Sequence, residues 1–191
     1  METNTLNTLL LVCVITSITP GPSNIIVLAA SVYGGISFAI RPYLGVCIGL
    51  PLMVFCVSYI SVIIGSDIFE KAQYLKYFGI MLILYLSYKI ITSSRTSLNC
   101  GKRSTASFTK VLLLQWLNPK AWAIVLSTLT IAGHEYYYMP ALIYIIVIFP
   151  CAGLWLVLGG LLRKNFLGTN KEIWMNRILG GLLASTALFL V

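Results

Sequence analysis

The stretch TPGPSN, Thr19 to Asn24, interrupts the first apolar run of the chain, which extends from Leu6 to Val32. About 20 apolar residues span a bilayer as a helix, so the run is long enough to cross a membrane. Two prolines nevertheless flank a glycine near its centre, and proline lacks the N–H that a continuous helix needs. The stretch therefore predicts a helix that is broken inside the membrane.

Composition supports a membrane environment for the whole chain. Of its 191 residues, 59% are hydrophobic and 9% are charged, whereas a soluble domain carries about 25% charged residues. The net charge of +8 does not indicate nucleic-acid binding, because lysines and arginines cluster in short gaps between apolar runs. That distribution is typical of membrane topology.

Six apolar stretches predict six transmembrane helices in one all-α domain, and strand-like alternation is absent. The predicted spans are Leu6–Val32, Tyr43–Gly65, Tyr74–Ile91, Phe108–Ile131, Met139–Leu162 and Trp174–Val191. Residues 1–92 form a first three-helix repeat, 93–107 a polar connector, and 108–191 a second repeat.

The gaps between spans predict the orientation. With the adjoining helix ends, the odd-numbered gaps hold ten of the thirteen basic residues: Arg41, Lys89, Arg95, Lys102, Arg103, Lys110, Arg163, Lys164, Lys171 and Arg177. The opposite side holds two lysines and four acidic residues: Lys71, Lys76, Glu2, Asp67, Glu70 and Glu135. The positive-inside rule places the odd gaps in a bacterial cytoplasm and both termini outside, the first span being a retained anchor. Tyr136 to Tyr138 then form an outer aromatic belt, and Trp174 an inner one.

A second interruption, LNPKAW from Leu117 to Trp122, lies about a dozen residues into the fourth span, close to the bilayer midplane. Spans one and four each begin a set of three helices, and because three is odd the two sets enter from opposite sides. Paired broken helices in such inverted repeats enclose a midplane site in many secondary transporters. The alternative is that the prolines only kink packed helices.

The residues of both breaks, together with Gly35, Gly45 and Gly49, resemble the LysE/RhtB family of amino-acid exporters. The stretches GIMLILYLSYKI and WMNRILGGLLASTALFLV carry the resemblance further, so that it covers nearly the whole chain. It implies an exporter that exchanges its substrate for protons. YGGISFAIRPYLGVCIG and LQWLNPK look most similar to the cysteine/O-acetylserine branch. Leu50 replaces an aspartate of many members, which disfavours a basic substrate. A P-Q-F motif of many members is also missing, the run here being STLTIAG.

We expect the substrate pathway to be formed around the two breaks. Backbone N–H groups at a half-helix N-terminus can bind a carboxylate, and freed carbonyls can accept from an ammonium group. The candidate pathway residues are Thr19, Pro20, Gly21, Pro22, Asn24, Gly45, Gly49, Gln115, Asn118, Pro119 and Lys120. Lys120 either binds the substrate carboxylate and gives a route for protons, or its long stem reaches water or caps a carbonyl. The two glycines form a small-x3-small pair that also suits helix packing.

Other functions remain open at this stage. A passive channel or a membrane scaffold for small polar solutes is the main alternative. The partners expected of the transporter are an amino-acid substrate, protons, membrane lipid and, in a homo-oligomer, further copies of the chain. An intramembrane enzyme is disfavoured, because His134 and all five acidic residues fall at or beyond predicted helix ends. The five cysteines have no metal-ligand spacing, so neither a metal nor a cofactor is predicted. Because all five acidic residues fall at or beyond predicted helix ends, no mid-membrane carboxylate is available to carry protons.

Overall fold

A computed structural model describes residues 2–64, 77, 80, 81, 83–92, 107–166 and 171–188. These residues are helical apart from short turns and contain no strand. The helices are α1 Thr3–Ile18, α2 Pro22–Gly34, α3 Ile36–Ile64, α4 residues 83–91, α5 Phe108–Leu117, α6 Pro119–Ala132, α7 Met139–Phe166 and α8 Lys171–Leu188.

The first predicted interruption is confirmed. Helix α1 ends at Ile18, α2 begins at Pro22, and the two are bent by 44° relative to each other. Pro22 occupies the first position of α2, where a missing N–H has no consequence because that group has no partner within a helix. Gly21 before it is fully extended.

The second interruption is also confirmed, and it is shorter. Helix α5 ends at Leu117 and α6 begins at Pro119, so that Asn118 alone is not helical. The Asn118 side chain accepts a hydrogen bond of 3.1 Å from the backbone N–H of Lys120 and so caps α6.

By length and composition, the described helices account for up to three of the six predicted spans. Within the described residues, α3 and α7 are each long and apolar enough to cross a membrane, and the bent pair α1–α2 makes a third span if counted as one. Helices α5 and α6 are apolar but short, because the break divides the fourth predicted span. Six of the eighteen residues of the third predicted span, 74–76, 78, 79 and 82, lie outside the described residues. Arg41, expected in a gap, lies inside α3, which begins at Ile36.

The two halves of the chain follow the same order of elements. Pro22 and Pro119 each begin a half-helix, of 13 residues in α2 and 14 in α6. Gly35 and Gly133 end these half-helices with φ of 85° and 70°, a conformation that glycine adopts without strain. Long helices of 29 and 28 residues, α3 and α7, then follow.

Packing brings the ends of several helices to a common side. Arg163, near the end of α7, donates a 3.2 Å hydrogen bond to the carbonyl of Val32 near the end of α2. The backbone oxygen of Phe108, at the start of α5, faces Gly45 in the first third of α3. The described ends of the odd-numbered gaps therefore share one side of the bundle.

Candidate functional site

The two helix breaks are in direct contact. The Lys120 ammonium nitrogen lies 2.7 Å from the backbone oxygen of Thr19 and 3.4 Å from that of Pro20, so a side chain of the second break donates to carbonyls of the first. A Cβ on Gly21 would come within 2.8 Å of the Lys120 Cδ, so the glycine allows the lysine to approach the backbone. The two stretches identified in the sequence therefore form one structural unit.

A chain of side-chain hydrogen bonds joins the breaks a second time. The Asn118 amide donates to Ser23 Oγ over 3.2 Å, and Ser23 Oγ donates to Gln115 Oε1 over 3.1 Å. All three side chains are buried. Because buried polar groups stay favourable only when they are paired, this chain fixes the spacing between α2 and the second break.

Carbonyls exposed by the first break receive donors from other helices. The Asn24 amide donates to Ser17 O at 2.9 Å and to Thr19 O at 3.0 Å. The Trp155 indole N–H, from α7, donates to Ile18 O at 3.2 Å. Unpaired carbonyls are very costly in a bilayer, so these donors stabilise the interruption where a membrane would otherwise oppose it.

The contact between the breaks lies near half-depth in the bundle. A Cβ on Gly49 would meet Gln115 Cγ at 3.0 Å, and Gly49 is close to the midpoint of α3, which runs from Ile36 to Ile64. The second break therefore lies beside the middle of α3, in agreement with the depth expected from counting residues.

Gly45 and Gly49 pack against α5 and do not line the space between the breaks. A Cβ on Gly45 would lie 2.7 Å from the Phe108 backbone oxygen, and one on Gly49 would lie 3.1 Å from Leu112 Cα. Such close backbone contact is what small-x3-small pairs allow. The glycines thus hold the second broken helix against α3 and position Gln115.

A cavity of about 30 Å³ lies between the breaks. Its lining residues are Thr16, Ser17, Gly21, Ser23, Asn24, Val46, Leu50, Gln115, Asn118, Lys120, Ala121, Ile124 and Ile148. A water molecule needs about 10–15 Å³ in this measure, so the cavity has room for one or two waters and is too small for an amino acid. Five of the predicted pathway residues line it: Gly21, Asn24, Gln115, Asn118 and Lys120.

The other predicted residues act through the backbone. Thr19 and Pro20 contribute carbonyl oxygens to Lys120, while the Thr19 hydroxyl bonds back to Ile15 O. Pro22 and Pro119 begin the two half-helices.

Sequence reasoning missed Ser23 and the cavity-lining side chains of α1, α3 and α7. Ser23 belongs to the TPGPSN stretch and carried a usable signal, a hydroxyl in the first turn of a half-helix. Thr16, Ser17, Val46 and Ile148 carried none, since only packing brings them to the breaks.

Charge and hydrogen-bonding capacity in the cavity are unevenly distributed. Of the described lining residues, Lys120 alone is ionisable. Within the described part of the chain no side chain caps α2, so the partial positive charge of its N-terminus is available beside that lysine. Among the residues that the structure describes, Gln115 Nε2 and Ser17 Oγ have no hydrogen-bond partner, although the two residues are only 2% and 3% exposed. The cavity therefore offers positive charge, free polar groups and one apolar wall.

The outer surface of the long helices is apolar. Large apolar side chains face outward on the long helices, including Ile63 at 66% and Ile146 at 75% exposure, whereas polar side chains meet at the central breaks. This inside-out arrangement defines a helical integral membrane protein with a polar centre.

The family follows from comparison with known proteins. The LysE type translocator family matches residues 14–191, and the chain belongs to that family. Its members are membrane proteins that transport amino acids or related compounds, so transport and not catalysis is the class of function. No curated protein and no solved structure matches the chain.

Proposed function

We propose that the protein is a secondary transporter that exports small neutral amino acids, or related metabolites such as cysteine and O-acetylserine, across a bacterial inner membrane. The observation that carries this proposal is the contact of Lys120 with the Thr19 and Pro20 carbonyls, which joins two broken helices near half-depth. Discontinuous helices that face each other there are the usual binding site of transporters built from inverted repeats.

The cavity has groups complementary to each part of an amino acid. The substrate carboxylate binds the Lys120 ammonium group and the free N–H groups at the start of α2. The substrate ammonium takes the Thr19 and Pro20 carbonyls that Lys120 occupies in this structure. Binding therefore exchanges an internal contact for two contacts with the substrate.

The apolar wall favours a short, uncharged substrate side chain. Val46, Leu50, Ile124 and Ile148 form this wall. A cationic side chain would need a carboxylate, and the described lining residues include none. Leu50 occupies the position where the family resemblance leads one to expect aspartate, which supports a neutral substrate.

The proposed architecture has six spans in two inverted repeats, with the basic gaps in the cytoplasm and both termini outside. The matched half-helices, each beginning at a proline and ending before a positive-φ glycine, support it. So does the common side occupied by the ends of the odd-numbered gaps. Because the cavity of about 30 Å³ is too small for the substrate, the breaks separate when substrate enters.

Proton exchange accompanies transport and runs through Lys120 in this proposal. It is the one ionisable group among the described residues that line the cavity. A substrate carboxylate that leaves Lys120 in a dry site favours loss of its proton, which then links substrate release to proton release.

Counterflow in proteoliposomes tests the proposal. Purified protein is reconstituted, vesicles are loaded with unlabelled cysteine, serine or lysine, and uptake of the labelled amino acid is followed. We expect saturable counterflow for the neutral substrates and not for lysine. Flux that rises linearly with concentration and shows no counterflow would identify a pore instead.

A matched pair of variants tests the site. Lys120→Met removes the ammonium group of the break, and Lys110→Met removes an exposed one at the start of α5. Since a charge-assisted hydrogen bond contributes about 1.5–3 kcal/mol, Lys120→Met should reduce counterflow by at least about tenfold, and Lys110→Met should not. Equal activity of the two variants would remove Lys120 from the site.

A further inference from the structure

A second cavity lies on the opposite side of the bundle from the basic helix ends. It has a volume of about 200 Å³ and is lined by Ser61, Leu129, Thr130, Gly133 and His134. These residues belong to the last turns of α3 and α6 and to the turn after α6. We call this space the outer vestibule.

One buried face of α3 extends from the central cavity to the outer vestibule, and one buried face of α6 begins at the same cavity and ends level with the vestibule. On α3 the face comprises Leu50, Val54, Val57 and Ser61, and on α6 it comprises Ala121, Val125, Thr128 and Ala132. Both sets have the spacing i, i+4, i+7, i+11, which keeps residues on one side of a helix. Leu50 and Ala121 line the central cavity, and Ser61 lines the vestibule.

We infer that this α3–α6 seam is the route by which substrate leaves the central cavity toward the outer vestibule, and that it is closed in this structure. The inference rests on the proposed transport function and adds the position of its outer gate. At about 1.5 Å per residue, the eleven residues from Leu50 to Ser61 place the two spaces about 16 Å apart. Val54, Val57 and Val125 fill the intervening core, so the closure is apolar.

Hydroxyl groups in the seam are not explained by packing alone. Thr128 is fully buried, and its hydroxyl donates to carbonyls of its own helix, Ile124 O and Val125 O. Ser58, also fully buried on the same turn of α3 as Val57, has a hydroxyl with no partner among the described residues. A core that serves packing only is more stable without such groups, whereas a route for a polar solute needs them.

Accessibility of Thr128 tests the inference with a small substitution. The five native cysteines are replaced by alanine, and Thr128→Cys or Ser127→Cys is introduced. Ser127 is the matched control, since it is the neighbouring hydroxyl residue but lies exposed on the outer surface of α6. Intact cells that export serine are treated with a membrane-impermeant methanethiosulfonate reagent.

We expect the reagent to modify Thr128→Cys from outside several-fold faster than it modifies Ser127→Cys. The thiol of the Ser127→Cys control faces lipid, where the reactive thiolate does not form. A Thr128→Cys chain that exports substrate but never reacts from outside would overturn the inference.

A blocking substitution gives a second measurement. Thr128→Phe should abolish export while the purified variant still binds serine in the central cavity, and Ser127→Phe should change neither. Export by Thr128→Phe at the rate of the unmodified chain would also overturn the inference. Absence of counterflow by the unmodified chain would refute the proposed transport instead, and the labelling of Thr128→Cys would still report whether the seam opens.

Discussion

Gly45→Ala is predicted to separate α3 from α5 and to destabilise the protein. The new Cβ would lie 2.7 Å from the Phe108 backbone oxygen and 3.0 Å from Val111 Cβ, whereas ordinary van der Waals contact begins at 3.4 Å. The oxygen belongs to a helix backbone, so α5 must move as a unit by about 0.7 Å. Overpacking of this kind costs about 1–3 kcal/mol. The higher helix propensity of alanine offsets about 0.5–1 kcal/mol of that cost.

Thermal unfolding in detergent, followed by tryptophan fluorescence, measures this cost. For a chain of this size each kcal/mol changes Tm by about 2–4 °C. A glycine-to-alanine control elsewhere in a helix shares the propensity gain, so the overpacking cost of about 1–3 kcal/mol should place the Tm of Gly45→Ala about 2–12 °C below that of the control. The control is Gly181→Ala, because nothing lies within 4 Å of a Cβ at that glycine. Its Tm should be unchanged or slightly raised. Equal Tm values for the two variants would refute the argument that Gly45 is a backbone contact.

Three further predictions concern the cavity and its supports. Asn24→Ala removes the donor to Ser17 O and Thr19 O and leaves these carbonyls unpaired. The free energy of unfolding, measured by denaturant titration in detergent, should fall by about 2–4 kcal/mol. An unchanged midpoint would contradict this. Trp155→Phe keeps a smaller aromatic ring and loses the bond to Ile18 O, so a smaller loss of about 1 kcal/mol is expected in the same titration. A loss as large as that of Asn24→Ala would be inconsistent with a single bond. Leu50→Asp adds a carboxylate to the cavity wall and should reduce serine counterflow at least about tenfold while permitting lysine binding in competition assays; unaltered serine counterflow would place Leu50 outside the site.

Local sequence determined the positions of the helix breaks. Proline removes a donor and clashes with the preceding turn, and the breaks fall where Pro20 and Pro22 flank a glycine and where Pro119 follows an asparagine. The single prolines Pro51 and Pro150 leave α3 and α7 continuous. The membrane environment was equally predictable, because apolar content and the distribution of charge do not depend on tertiary contacts. The number of continuous spans was less accessible, since the breaks divide helices that hydropathy reads as single runs.

Tertiary structure alone decided how the breaks meet. That Lys120 donates to the Thr19 carbonyl, about a hundred residues away, follows from how the helices pack, and no local pattern encodes it. The same holds for the anchoring of Ile18 by Trp155 and for the contribution of Leu50 to the cavity wall. The sequence thus determined where backbone groups lose their partners within the chain. Only the fold decided which side chains replace those partners, because hydrogen bonds between distant segments depend on the packing of the whole bundle.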